Sequence, residues 1–264
     1  MDAIVLCGGF GTRLLPLTKH TPKALLDVAG RPVIDYTLPQ LLDIQGLKAI
    51  HLVANACFFG QFYTWRERWE DQLRERGIHL HLHNDAMLTE EKRLGSVGDL
   101  AFLLRMMGQL RPVLLMGDDT IVRFPLSKIA EQFQRGSENI VLAFPESSHQ
   151  LRQRLVVVEF GDDDIVTHFH EHPEHPPTEW VSPLVYFLQP EALEHVSAYL
   201  ARNGTSHDSL TQFMDYLAER ERVRAIRIPG QGETRTWFDI ESKYMYRRAN
   251  EVLSEEPLML EGLF

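Results

Sequence analysis

The sequence predicts an α/β domain with a mixed, mostly parallel central sheet flanked by helices. Three observations carry that expectation. Short apolar runs alternate with amphipathic or charged segments of helical length along most of the 264 residues. The first apolar run, Ala3 to Leu6, opens directly into a glycine loop at Gly8, Gly9 and Gly11. A later apolar run, PVLLM, closes on Gly117 and two carboxylates, Asp118 and Asp119. Ligands of open α/β sheets collect beyond the carboxyl ends of the strands, where both features fall.

Composition narrows the class. Hydrophobic residues make up 44% of the chain and charged residues 24%, as in ordinary globular proteins. No apolar stretch approaches the ~20 residues that span a bilayer. The opening MDAIVLCGG has no basic segment, so a secretory leader is not expected and a cytoplasmic location is. A net charge of −10 argues against a nucleic-acid partner, which wants a basic surface. The two cysteines, Cys7 and Cys57, suggest reduced thiols rather than a disulfide framework. Cys7 reads as a small apolar filler at a strand end.

The stretch 6–30, LCGGFGTRLLPLTKHTPKALLDVAG, is the densest in chemistry. Its glycines leave almost no side-chain bulk, so backbone N–H groups can approach an anion closely. Thr12 adds a hydroxyl, Arg13 a planar fork suited to phosphate oxygens, and Lys23 a second fixed cation. With Lys19 and His20 they make a local cationic site in an acidic chain, which suits a small anionic substrate. The expected ligand is a polyphosphate. Gly9-Phe10-Gly11 lacks the third glycine of the dinucleotide fingerprint, and no G-K-[ST] closes a P-loop. An NAD-dependent oxidoreductase is disfavoured accordingly.

Further along, a short strand and a turn at 30–32 precede a helix with Ile34, Leu38, Leu41 and Leu42 at helical spacing. Residues 49–54 predict a buried strand and 61–77 one charged helix ending at a glycine. HLHLH, 79–83, predicts a strand with one polar face. Its three histidines could form a metal face, although alternating histidines more often face solvent. LGSVGDL, 94–100, read on its own, is a glycine-containing helix start with Ser96 as cap. Asp118 could bind a hard cation such as Mg²⁺, with Asp119 as runner-up, or the pair could be an acidic turn. A helix at 125–135 and a strand at 139–144 follow, then a hairpin, 156–160 and 165–169, turned by GDDD. His168, His170 and His172 alternate, so they could share one face as Zn²⁺ ligands or simply hydrogen-bond and face solvent. Helices at 190–202 and 209–220 and a strand at 223–228 lead to WFD, residues 237–239.

The run GGFGTRLLPLTKHTPKALLDVAGRPVIDYTL, Gly8 to Leu38, resembles the signature of the sugar-1-phosphate nucleotidylyltransferases, approximately GGxGTRLxPLTxxxPKxLLxVxGxPxI. LGSVGDL resembles their LGTAGAL, GDD and WFD their metal-binding GD and W-x-D, and HEHPEHPPTEWVSPLVYFLQ their sugar-cupping region. The resemblance implies a single-domain Rossmann-like nucleotide-diphospho-sugar transferase fold over residues 1–252. The C-terminal tail, 253–264, lies outside it and shows no clear role; it could pack onto a neighbour in a homo-oligomer, and the oligomeric state stays open. The resemblance implies a reaction of an NTP with a sugar 1-phosphate, giving an NDP-sugar and pyrophosphate with Mg²⁺ as cofactor. Leu6, Gly8, Gly9, Gly11, Thr12, Arg13, Gly95 and Gly98 would bind the nucleotide. Arg13 would meet the departing pyrophosphate and Lys23 the reacting phosphates, with Asp118 completing the catalytic set. Asp118 and Asp239 would hold the metal, although Asp239 could also be a helix N-cap. Glu171 and His172 would join Lys23 around the sugar phosphate.

Three departures fall together on the acceptor side: Val156 and Leu184 where relatives often carry glycine, and His172 in place of the Lys of an EKP motif. They leave an alternative, a non-catalytic relative that binds a nucleotide sugar and regulates a partner. Arg13, Lys23, Asp118 and Asp239 argue against it, since a sensor does not need all four. The base and the sugar stay open.

Overall fold

The fold is organised around β1 (Asp2–Cys7), a strand buried along its whole length. Alternate side chains serve two cores: Ala3, Val5 and Cys7 point to one, Ile4 and Leu6 to the other. The computed structural model describes residues 1–202, 209–228 and 237–255. After β1 come the β2 (Asp27–Val28) and β3 (Arg31–Pro32) hairpin and α1 (Val33–Leu42). Next are β4 (Ala49–Ala54), α2 (Phe59–Glu67), α3 (Glu70–Glu75), β5 (His79–Asn84) and α4 (Ser96–Met107). The middle of the chain holds β6 (Val113–Gly117), β7 (Thr120–Val122), α5 (Leu126–Arg135), β8 (Asn139–Pro145) and α6 (His149–Arg152). Then follow β9 (Val156–Phe160), β10 (Val166–Glu171), β11 (Trp180–Val181), β12 (Val185–Leu188), α7 (Pro190–Leu200) and α8 (Leu210–Ala218). The last described elements are β13 (Val223–Arg227), β14 (Trp237–Asp239) and α9 (Lys243–Glu255).

The central sheet runs β10-β9-β11-β8-β12-β6-β1-β4-β5, with β13 also paired to β8. It is mixed, as the sequence predicts. Parallel pairing holds β6, β1, β4 and β5 together and joins β13 to β8. The β8 to β12 region is otherwise antiparallel, which short hairpin connections such as the one between β9 and β10 permit. The sheet is therefore less uniformly parallel than "mostly parallel" implies. From β1 the chain steps one way to β4 and later returns on the other side at β6. That reversal is a topological switch point, and the crevice above it is the default ligand site of such sheets.

Residues 61–77 do not form one helix. The chain breaks between α2 and α3, where Arg68 N–H and Trp69 N–H donate to the carbonyls of Trp65 and Arg66. Asp35 explains the break. Its Oδ1 accepts from the indoles of Trp65 at 2.6 Å and Trp69 at 3.1 Å, and its Oδ2 lies 3.5 Å from Arg68. The polar face of β5 packs sideways onto β4. His51 stacks on His81, ring centroids 4.9 Å apart, and its Nδ1 lies 3.1 Å from His83 Nε2. Burial, with His81 and His83 beside it, pushes His51 down to about 4. Helix α9 continues past residue 252, with Leu253 buried among neighbours on β2 and β14. Residues 256–264 of the expected tail lie outside the described residues. No helix among the described residues is long and apolar enough to cross a membrane.

Candidate active site

Above the switch point lies a cavity of about 370 Å³. Its floor is the loop after β1 and the end of β6, held side by side by the pairing of Leu6 with Gly117. The loop is fixed by groups distant in sequence. Asn55, fully buried at the end of β4, donates its amide to the carbonyls of Gly8 and Gly9. Thr18 donates its hydroxyl to Gly11 O at 2.7 Å. Gly11 has φ 64°, a left-handed backbone that leads into the turn Thr12–Leu14 and favours glycine. Gly8 is required for another reason: a Cβ there would lie 2.2 Å from Asp99 Oδ2.

Lys23 enters from the following turn, Lys23–Leu25. Its Nζ lies 3.0 Å from Asp118 Oδ1 and 2.7 Å from Asp119 Oδ2. Burial disfavours the ammonium, but Asp118 and Asp119 outweigh it, so the Lys23 pKa is raised and the charge is permanent. Asp239 comes to the same place on β14, which pairs antiparallel with β7 so that Asp239 faces Thr120; Ile240 N–H donates to Asp119 O at 2.8 Å. Burial pushes Asp118 up to about 6, against the pull of Lys23. Burial and then Asp119 push Asp239 up to about 8. Burial likewise raises the Cys7 thiol well above its usual range, which suits a core filler.

Buried carboxylates with raised affinity for protons also welcome a metal cation. Asp118 Oδ2 and Asp239 Oδ1 are both buried without a hydrogen-bond partner. Among the described residues no set of three or more His, Cys, Asp or Glu side chains could hold a metal alone. Two carboxylates plus ligand phosphates is the usual habit of Mg²⁺, so the donor set fits that ion. Asp239 is not a helix cap; Ser242 takes that place before α9, accepting from Met245 N–H.

Leu6, Gly8, Gly9, Gly11, Thr12 and Arg13 all line the cavity, as do Lys23, Gly95, Asp118 and Asp239. Gly98 does not. It faces Leu94, whose Cβ would lie 3.0 Å from a Cβ at Gly98, so its smallness serves helix packing. Ser96 is the first residue of α4, and Gly95 occupies the cap position. Arg13 is two-thirds exposed and forms an ion pair with Glu241, whose other oxygen lies 3.8 Å from His172 Nε2.

The far wall carries the acceptor-side residues. Val156, Glu171, His172 and Leu184 all line it, which brings the three departures from the resembled pattern, Val156, His172 and Leu184, to one wall. Glu171 accepts from Ser209 Oγ at 2.6 Å, which brings the start of α8, with Leu210 and Thr211, to the wall. The alternating histidines do not converge: His168 meets Asp215, His170 meets Glu159 and His172 meets Glu241. A second cavity of about 350 Å³ adjoins the first and shares Arg13, Arg154, His172, Asp239 and Glu241 with it. Sequence reasoning passed over Asn55, Asp99, Ser209 and Glu241, because each acts across the fold rather than within a local motif.

Similarity to known proteins agrees with this geometry. The catalytic subunit beta of mannose-1-phosphate guanylyltransferase from Drosophila pseudoobscura pseudoobscura is 25% identical over 90% of this chain and 58% of its own length. The chain thus spans little more than half of that curated relative. A UTP–glucose-1-phosphate uridylyltransferase from Haloferax volcanii is 26% identical over 87% of this chain and 89% of its own. A solved structure of UDP-glucose pyrophosphorylase with UDP-glucose superposes with a TM-score of 0.75 at 19% identity, covering 96% of this chain and 98% of that one, which establishes the shared fold. A family model described as nucleotidyl transferase matches residues 2–256. This chain belongs to that nucleotidyl transferase family, the family of the sugar-1-phosphate nucleotidylyltransferases.

Proposed function

We propose that this chain is a nucleotidyltransferase that joins an NTP and a sugar 1-phosphate into an NDP-sugar and releases pyrophosphate. The observation that supports this most is the meeting of Lys23, Asp118, Asp119 and Asp239 beneath a pinned glycine loop. The attacking phosphate is an anion near neutral pH, so no general base is needed. Catalysis reduces to positioning and charge stabilisation around an in-line displacement at the α-phosphorus. The loop at Leu6, Gly8, Gly9, Gly11 and Thr12, with Gly95, holds the nucleotide. Arg13 faces the departing pyrophosphate. An ammonium has three donors; two of those on Lys23 face Asp118 and Asp119, and the third is left for a phosphate oxygen. Asp118 and Asp239 hold Mg²⁺, which when bound supplies neutralising charge to the phosphates. Glu171 and His172 orient the acceptor, and the half-exposed His172 brings positive charge only when protonated.

The test is a matrix of nucleoside triphosphates against sugar 1-phosphates with Mg²⁺, read by pyrophosphate formation. Turnover in at least one pairing is expected. Silence throughout, with tight binding of a finished nucleotide sugar, would replace this reading with the regulatory one that Val156, His172 and Leu184 motivate.

A further inference from the structure

The second cavity, about 350 Å³, has no role in the proposed reaction so far. Arg13, Arg154, His172, Asp239 and Glu241 line it and the first cavity alike. The glycine loop, Lys23, Asp118, Val156, Glu171 and Leu184 line the first cavity only. The second cavity therefore lies beside the reacting groups and outside both walls. Its volume is at the lower end of small-ligand sites. Arg154 differs from the other cations around it. Lys23 has Asp118 and Asp119, Arg13 and His172 have Glu241, and Arg93 has Glu90. Among the described residues no carboxylate pairs with Arg154, which is exposed and lines both cavities. Such a guanidinium is a planar fork open to two oxygens of a phosphate.

We propose that the second cavity takes inorganic pyrophosphate as it leaves, held between Arg13 and Arg154. The inference rests on the proposed reaction, in which Arg13 faces the departing pyrophosphate. After the displacement the first cavity holds a nucleotide sugar, its nucleotide along the glycine loop and its sugar against Val156, Glu171 and Leu184. Both walls are then covered. The space that still opens at Arg13 is the second cavity. Pyrophosphate carries several negative charges, so one guanidinium does not neutralise it, and Arg154 has no carboxylate to give up first. Two acids share this border. Asp239 belongs to the proposed Mg²⁺ pair, and Glu241 is engaged by Arg13 and His172. Pyrophosphate takes Arg13 from Glu241, an exchange of one carboxylate for a more highly charged ligand, and Glu241 keeps His172. No covalent bond is made or broken in this step.

The test is calorimetric binding of inorganic pyrophosphate, in Mg²⁺ buffer without other substrates, to the full chain and to two variants. Arg154→Gln is expected to weaken pyrophosphate roughly 10- to 100-fold, the worth of one hydrogen bond to a charged group. Binding of UTP, GTP, glucose 1-phosphate and mannose 1-phosphate, measured in the same way, is expected to change little. Met245→Trp adds bulk to the second cavity, which Met245 lines without touching the first, and is expected to weaken pyrophosphate while sparing both triphosphates. Unchanged pyrophosphate affinity in either variant overturns the proposal. So does a loss in Arg154→Gln confined to the sugar phosphates, which would assign Arg154 to the acceptor. An equal loss of UTP and GTP would overturn it as well, as the mark of a cation that serves the triphosphate in the first cavity. Absence of pyrophosphate binding by the unaltered chain removes the second site and leaves the reaction to the substrate matrix. Pyrophosphate binding that depends on Arg154, with silence throughout that matrix, would sink the proposed reaction and leave the anion site in place.

Discussion

The two walls of the cavity are made of different material. The wall proposed for the nucleotide is largely backbone: a glycine loop held by Asn55 and Thr18, beside the end of β6. The wall proposed for the acceptor is side chains, Val156, Glu171, His172 and Leu184, carried by the antiparallel strands and the segments that follow them. A backbone wall can hardly vary without altering the sheet beneath it. A side-chain wall can be rewritten one residue at a time. The comparison accounts for why the signature run matches so closely at 8–38 while all three departures from the pattern lie across the cavity.

The largest effect should come from Lys23, the buried cation at the floor of the cavity beside the end of β6. Lys23→Met leaves Asp118 and Asp119 without their cation, and breaking a buried pair this way typically costs about 3–5 kcal/mol. Urea denaturation at pH 8 should show that loss, together with absent turnover. The loss should shrink at pH 5, where protonation relieves Asp118. A stability unchanged at pH 8 would show that Lys23 is not the group balancing them.

Asp118→Asn and Asp239→Asn should come next, each lowering turnover by roughly a hundredfold or more while the fold persists. They also make a pH prediction with a definite sign. Both carboxyls hold protons more tightly folded than unfolded, so the folded state binds more protons between about pH 4 and 8. Without metal, stability should therefore fall as pH rises through that window. Melting temperatures from pH 5 to 8 should decline for the unaltered chain and decline less for Asp239→Asn, and Mg²⁺ with nucleotide should restore the pH 8 value. A flat profile would mean that Asp239 is not desolvated in the folded protein.

The acceptor wall predicts a smaller and more selective change. Val156→Gly and Leu184→Gly should alter KM for the sugar phosphate by about tenfold and widen the range accepted, with NTP affinity unmoved. Equal shifts in both substrates would erase the distinction between the walls. The smallest effect belongs to the surface link. Arg13 and Glu241 are exposed enough that Glu241→Gln should change stability by less than about 1 kcal/mol. Freed of its partner, Arg13 should bind pyrophosphate a few-fold more tightly in the reverse reaction.

What was legible in the sequence follows the same division. The glycine loop, Lys23 and the strand ending at Asp118 are local patterns, and local patterns survive translation into one dimension. Asp239 has no such signal. Its place depends on the pairing of β14 with β7, and only the resemblance pointed to it. The break between α2 and α3 was illegible because its cause, Asp35, lies in a different helix. Gly98 looked like a ligand contact because glycine permits close approach; what approaches is Leu94.

The short pairing of β14 with β7 also sets the order in which the site can come into being. Asp239 is matched with Thr120, so the last carboxylate reaches its place only after more than a hundred further residues have been made. A nascent chain emerges at about 5–20 residues per second, and such distant pairings are the slow ones to close. During that interval the glycine loop, Lys23 and Asp118 can assemble on β1 and β6 without Asp239. The growing polypeptide thus passes through a stage that has the phosphate cradle but only part of its acidic set, and completion waits until Asp239 has left the ribosome.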